Sequence, residues 1–304
     1  LEPTFGAINI EDIKAPECFV IEQKCRERMN IPVFHDDQHG TAIVTAAAFL
    51  NGLLVINKKI SDIKLVSTGG GAAGIACLNL LVALGVKREN IWVVDHLGVV
   101  YDGRTEEMSP QKSTFAQATT ARKLADVITG ADAFLGLSIG GILTRGMVKA
   151  MAEKPLILAL ANPEPEITPD EALAARPDAV IATGRSDYPN QVNNVLCFPF
   201  IFRAALDVEA TTINEEMKLA CVKAIAALAR KEVTPEVAAI YPGETMEFGP
   251  AYMIPKPFDQ RLLPIVATAV AKAAMDSGVA ARPIKKISEY QQHLESSVHK
   301  TSIL

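Results

Sequence analysis

Cysteine is scarce and never arranged in a pair motif: Cys18, Cys25, Cys77, Cys197 and Cys221 form no CxxC, and their number is odd. This pattern argues against a disulfide framework and points to buried free thiols in a reducing compartment. Basic charge is also short. The 30 Lys and Arg are dispersed among 35 Asp and Glu, and the net charge is −5. That balance carries no electrostatic footprint for nucleic acid and no polybasic membrane patch. No apolar run reaches the roughly 18 to 20 residues that span a bilayer. The N-terminal LEPTFGAINIED has neither the basic start nor the apolar core of a signal sequence. A cytoplasmic protein is expected. Internal repeats and low-complexity segments are absent too. No initiator Met precedes Leu1, and TSIL runs off a helical stretch, so both ends are expected to be cuts within a longer chain.

What is present is apolar and periodic. The 304 residues are 49% hydrophobic, enough for one large domain or two ordinary ones, each with a core. Short apolar runs recur at IKLVS (63–67), IWVVD (91–95), AFLGLS (133–138), LILALAN (156–162) and AVIAT (179–183). Helical or loop segments separate them. Continuous apolar strands alternating with helices predict an α/β fold, a Rossmann-like doubly wound parallel sheet covered on both faces. The first helix is expected over 72–84, stopped by Gly85. Another should open at Thr168, where Pro169 follows and Glu171 stands three residues on. Thr212 and Glu215 repeat that spacing ahead of MKLACVKAIAALARK. RLLPIVATAVAKAAMDSG reads as a helix ending at Gly278, so the C-terminal segment is mainly helical around a Pro-rich interruption.

The motif with the clearest physics is Gly69-Gly70-Gly71-Ala72-Ala73-Gly74. It fits GxGxxG with Gly69, Gly71 and Gly74 in the three positions. The first glycine permits a tight strand-to-helix turn, the second lets backbone approach a pyrophosphate, and the third lets helix and strand pack closely. The helix that follows offers unpaired N–H groups to the phosphates. Asp95 ends the next strand, 24 residues beyond Gly71, where an acid would bond a ribose hydroxyl. A carboxylate there favours NAD over NADP. His96, Arg104, Lys112 and Arg122 follow and would offset it, although each taken singly reads as a solvated surface residue. The residues alone leave NAD and NADP open.

Two acidic pairs stand out, Glu11-Asp12 and Asp36-Asp37, the second within PVFHDDQHGTA. Four carboxylates near small residues suit a hard divalent cation such as Mg2+ or Mn2+. Taken alone they read better as two acidic loop patches, and the spacing is not diagnostic by itself. His35 and His39, four apart, lack the further ligands that zinc requires, and are expected to flank the acidic site or to cap backbone groups.

Together these strings resemble the malic enzymes. The likeness runs through INIEDIKAPECF (8–19), PVFHDDQHGTAIV (32–44), STGGGAAGIACLNLL (67–81), VVDHLGVVYDGR (93–104), ALANPEPEITPDEA (159–172), QVNNVLCFPF (191–200) and FGPAYMIPKPFD (248–259). It is greatest to the long bacterial form, in which a phosphotransacetylase-like module follows, and SEYQQHLESSVHKTSIL resembles the linker to that module. The resemblance implies oxidative decarboxylation of malate to pyruvate and CO2, with NADP (NAD being possible) and Mg2+ or Mn2+, in a homo-oligomer. It implies Glu11, Asp12 and Asp37 as metal ligands, and Asp36 as a group that tunes a catalytic lysine. Asn162 and Asn194 would hold substrate near the nicotinamide, with Asn162 also touching the cofactor bound by Gly69, Gly71, Gly74 and Asp95. It divides the chain into a remnant of a substrate and metal domain (1–36), a dinucleotide-binding domain (37–204) and a helical C-terminal segment (205–304). The family's general acid, a tyrosine, and general base, a lysine, precede the acidic pair, and no residue here matches their motifs. The alternatives are a non-catalytic dinucleotide-binding module and another NAD(P)-dependent dehydrogenase acting on an amino acid or 2-hydroxy acid.

Overall fold

The computed structural model describes residues 2 and 4–301, with side chains described as far as residue 298. Leu1 and the last three residues of TSIL, where cuts are expected, lie outside the described residues. The chain begins with β1 (Ile8–Ile10), α1 (Glu17–Arg28), β2 (Val33–His35), a π-helical turn (Asp36–Gly40) and α2 (Thr41–Val55). Next come β3 (Leu65–Thr68), α3 (Ala72–Leu84), β4 (Ile91–Asp95), β5 (Gly98–Val99), α4 (Pro110–Ser113) and α5 (Leu124–Ile128). They are followed by β6 (Ala133–Gly136), α6 (Arg145–Ala150), β7 (Leu156–Ala159), α7 (Pro169–Ala175) and β8 (Val180–Thr183). The remainder holds α8 (Phe198–Asp207), α9 (Glu215–Ala229), α10 (Pro235–Ile240), α11 (Leu262–Asp276) and α12 (Ile287–Thr301). Two compact units result. One comprises Leu1–Ala47, Asn193–Phe248 and Ile254–Leu304; the other comprises Ala48–Val192 and Gly249–Met253.

The second unit is built on a six-stranded sheet in the order β5-β4-β3-β6-β7-β8. Strands β4, β3, β6, β7 and β8 are parallel, as expected from runs too apolar to face water on either side. Val66, Phe134, Ile157 and Ile181 from four of these strands meet Leu124, Val148 and Ala172 from α5, α6 and α7 in one buried cluster. The strictly parallel expectation needs one amendment, because β5 pairs antiparallel with β4. Two residues are too few to leave a periodic signal. The turn depends on Gly98, whose φ is +104° and where a Cβ would fall 2.1 Å from the Arg122 carbonyl oxygen. Helix α3 starts and stops where the sequence places it, closing on Gly85 in the left-handed conformation (φ 119°). Thr168 caps α7: its Oγ1 accepts from the Glu171 N–H at 3.3 Å and donates to that side chain at 3.0 Å.

The first unit is mainly helical, with α8 and α9 packed on α11. Its β1 and β2 form a two-stranded parallel sheet. The cap expected at Thr212 is instead Asn214, whose side chain accepts from the Met217 N–H at 3.0 Å. Buried Ile213 stands just ahead of the cap, and the Thr212 hydroxyl meets Arg26 at 3.4 Å. The expectation about apolar runs is also amended. Among the described residues, helical Asp36–Val55 is long and apolar enough to cross a membrane by length and composition, with 72% of its apolar window buried inside the fold. Burial of that kind marks a core helix, and the polar residues of DDQHGT hide the stretch from a search for continuous apolar runs.

Candidate functional site

In the sheet unit the glycine turn links β3 to α3. Gly69 takes φ +100°, and a Cβ there would lie 2.3 Å from the Leu137 carbonyl oxygen. A Cβ on Gly74 would lie 2.1 Å from the Gly69 carbonyl oxygen. Both positions are therefore closed to any side chain. Gly71 differs: it is exposed, it caps α3 without a side-chain bond, and a Cβ there would meet nothing within 4 Å. The open space lies at the positive end of a 13-residue helix, where backbone N–H groups lack partners and an anion is favoured. The sheet order places β4 on one side of β3 and β6 on the other, so the chain reverses its winding direction beside this turn. Open α/β sheets take ligands at that point.

Asp95 ends β4 with its side chain 6% exposed. Its Oδ1 accepts from the Leu97 N–H at 3.0 Å, while Oδ2 accepts from Arg104 at 2.6 Å and Lys112 at 2.9 Å. Burial alone would raise this carboxyl, but the two cations hold it below the usual aspartate range. Arg104 and Lys112 are thus not the solvated surface residues the sequence suggests. Their side chains are 3% and 10% exposed. Arg104 also donates to the carbonyls of Glu106, Gly98 and Val99, and Lys112 to that of Glu107. Two cations against one anion leave a surplus of one positive charge, and Lys112 Cε lies 2.9 Å from where a Gly70 Cβ would stand. His96 is 67% exposed beside Glu107. Arg122 is exposed and stacks on Tyr101 at 3.6 Å. Asn162, just past β7, is exposed, and its amide lies 3.0 Å from a Cβ position on Gly184.

In the helical unit the acidic pairs come together through strand register. Ile10 of β1 pairs with His35 of β2 in a parallel bridge, so Glu11-Asp12 and Asp36-Asp37 emerge from adjacent strand ends. Asp12 takes φ 58°, and its N–H donates to Asp37 Oδ2 at 2.8 Å. Asn9 donates to Glu11 at 3.0 Å. The π-helical turn then folds the Asp36 carboxylate onto Gly40, where a Cβ would lie 1.9 Å from Oδ1. Asn194 donates to Asp36 Oδ2 at 3.0 Å and accepts from the Thr41 hydroxyl at 3.2 Å. Asp36 Oδ1 is buried without a partner. Burial raises the Asp36 carboxyl, the Asn194 bond opposes the rise, and the neighbouring charges of Glu11 and Asp37 add to it. The donor set is all hard oxygen, with Glu11 and Asp12 exposed. It fits Mg2+ or Mn2+ in kind. The carboxylates are gathered rather than closed into a cage: among the described residues no three His, Cys, Asp or Glu side chains stand ready to hold an ion.

The two histidines behave differently. His35 is buried with neither ring nitrogen partnered, Nδ1 standing 3.9 Å from Asp37 Oδ2. His39 Nε2 meets Glu22 Oε1 at 2.7 Å and Nδ1 meets Lys218 Nζ at 3.3 Å. Burial lowers the His39 pKa. Burial would raise Glu22, but His39, Arg26 and Lys218 bring its carboxyl below the ordinary range. Gln38 adds a 3.3 Å bond to Glu22. Glu22 and Lys218 escape sequence reasoning because α1, the π-helical turn and α9 are far apart in the chain, and no local pattern marks their meeting.

Residues 38–246 match the family described as "Malic enzyme, NAD binding domain". An NADP-dependent malic enzyme of Haemophilus influenzae is 64% identical over all 304 residues, and an NAD-dependent malic enzyme of Rhizobium meliloti is 61% identical over the same span. The chain covers 40% of the length of each of these relatives. The crystal structure of a malic enzyme from Pyrococcus horikoshii superposes with a TM-score of 0.88 at 38% identity, covering 99% of this chain and 68% of that one. With such a match along its whole length, the chain belongs to the malic enzyme family.

Proposed function

We propose that this chain is the dinucleotide- and metal-binding portion of an enzyme that oxidises malate to pyruvate and CO2 with NADP. What carries the reading is the 64% identity, along the whole of this chain, to part of an NADP-dependent malic enzyme, and the site geometry supports it. Gly69 and Gly74 set the turn, and Gly71 leaves room for the pyrophosphate. A dinucleotide held by this turn would supply the hydride acceptor for the oxidation. Arg104 and Lys112 supply the surplus positive charge that an extra ribose phosphate needs, so the cluster around Asp95 favours NADP over NAD.

Glu11, Asp12 and Asp37 would hold Mg2+ or Mn2+. When bound, that cation supplies Lewis-acid stabilisation of the negative charge that develops on the substrate as CO2 leaves. Asp36 is kept in place by Asn194 and Gly40, and acts by tuning a basic group. Asn194 and Asn162 offer amides to the substrate, Asn162 also to the cofactor. None of the motifs named above supplies the general acid or the general base. Cytoplasmic location and homo-oligomeric assembly complete the reading.

The test is a pair of titrations followed by an assay. NADPH fluorescence and Mn2+ spin resonance should both show saturable binding, and Asp37→Ala should lose Mn2+ while keeping NADPH. Mn2+ retention by that variant would overturn the ligand assignment, and failure of the unaltered chain to bind NADPH would overturn the reading. Malate-dependent NADP reduction with CO2 release by this chain alone would place the acid and base within it.

A further inference from the structure

Glu166 is fully buried in the sheet unit, and the partners its carboxylate meets are all neutral. Oε1 accepts from the Ser138 N–H at 2.9 Å and from the Ser138 hydroxyl at 3.2 Å. Oε2 accepts from the Ala161 N–H at 3.1 Å. Ser138 Oγ also lies 2.9 Å from Thr68 Oγ1, in the residue just ahead of the glycine turn. The carboxylate occupies the place where a side chain on Gly136 would stand, with its Cδ 2.2 Å from that Cβ position. The Glu166 side chain therefore ties together the C-terminal ends of β6 and β7, and through the Ser138 hydroxyl it is linked to that of β3. Burial pushes its carboxyl above the ordinary glutamate range, the backbone and hydroxyl donors opposing the rise.

A carboxylate without a counter-ion is an expensive way to stabilise a core, since apolar groups of the same volume do it better. What it does well is fix several backbone segments at once through directed bonds. The strand order says which segments matter. With the pyrophosphate at the turn after β3 and the adenosine half beside Asp95 on β4, the other half of a dinucleotide lies over the ends of β6 and β7. We propose that Glu166 is a positioning residue for the nicotinamide half of the dinucleotide, holding the strand ends on which that half rests. The proposal rests on the dinucleotide reading above.

The experiment compares two ligands on three proteins. NADPH carries both halves, whereas adenosine 2′,5′-bisphosphate carries the adenosine half alone. Fluorescence titration of Glu166→Gln should show NADPH weakened about tenfold and the bisphosphate changed less than about twofold, as loss of one set of directed bonds implies. Ser138→Ala removes one donor and should weaken NADPH about threefold in the same selective way. A uniform weakening of both ligands would make Glu166 a general support and overturn the proposal, as would unchanged NADPH affinity. If Glu166→Gln does not fold, Ser138→Ala decides alone, and unchanged affinity there overturns it. Failure of the unaltered chain to bind NADPH is a different result, and overturns the dinucleotide reading itself.

Discussion

Asp95 and Asp36 occupy matching places. Each stands at the C-terminal end of a parallel strand, Asp95 as the last residue of β4 and Asp36 directly after β2. Each is 6% exposed, Asp95 by its side chain. Their carboxyls are nevertheless displaced in opposite directions, Asp95 below the usual aspartate range and Asp36 above it. Burial is the first cause at both and raises both, so partners make the difference. Asp95 has two cations and a backbone N–H. Asp36 has one amide, two neighbouring carboxylates and one oxygen with no partner. In the first cluster the carboxylate is paired with two cations, and its ionised form adds to stability. The second is short of positive charge and subtracts from it, the condition expected where a cation is to be received.

The largest expected effect tests the cationic pairing of Asp95. Asp95→Asn leaves Arg104 and Lys112 buried without an anion, and removing one partner of a buried pair costs about 3 kcal/mol. Urea unfolding at pH 7 measures it. The pH dependence carries the same information. A folded-state pKa below the unfolded value gives stability that is present above the unfolded aspartate value, about 3.9, and lost as pH falls through the folded one. The variant should therefore approach the unaltered chain as pH drops. A constant difference down to acid pH would mean that the carboxylate's charge is not what matters.

A similar contrast, between space the protein fills and space it leaves open, recurs inside the glycine turn. Gly74→Ala forces a methyl against the Gly69 carbonyl oxygen, 2.1 Å away. It should cost about 2 kcal/mol of stability and dinucleotide binding with it. Gly71→Ala meets no protein atom within 4 Å, so its stability should stay within about 0.5 kcal/mol, while NADPH binding falls about tenfold. Unfolding curves and NADPH titrations on both variants separate the two kinds of glycine. Equal loss of stability in both would show that the open space at Gly71 serves packing rather than a ligand.

The sheet unit was legible because its chemistry is local. Five apolar runs, one glycine turn and a threonine cap each declare themselves within a few residues, and α3 begins at Ala72 and ends at Leu84 as its sequence implies. The two-residue β5 and the cap at Asn214 were not legible, the one too short for a period and the other rivalled by Thr212 at equally good spacing. The Asp95 cluster was half legible. Arg104 and Lys112 are visible as candidates, but nothing in their spacing says that a loop of 9 and 17 residues folds back to bury them. In the helical unit the acidic residues are plain, yet their convergence depends on β1 pairing with β2 across 25 residues. Glu22 and Lys218, which grip His39, have no local signature. Glu166 hides within the NPEPE string because a glutamate two residues before a capping threonine looks like a loop residue until Gly136 is seen to make room for it.

The smallest effect bears on the other member of the opening pair. Asp36→Asn keeps the shape and the acceptor for Asn194, and removes a charge that stands near Glu11 and Asp37. Because the folded-state pKa is raised, the contribution of Asp36 to stability is fully present below the unfolded value, about 3.9, and is lost as pH rises through the folded one. The variant lacks that loss. It should match the unaltered chain near pH 3.5 and exceed it at pH 7 in the presence of a chelator, with a difference that grows as pH rises through the folded-state value. Thermal unfolding across that range reads the sign directly. A gain that grows with pH would identify Asp36 as a group whose charge the fold holds against its own stability. A variant less stable at pH 7 than the unaltered chain would show that the Asn194 bond to the ionised form outweighs the repulsion, and the contrast with Asp95 would shrink to one of degree.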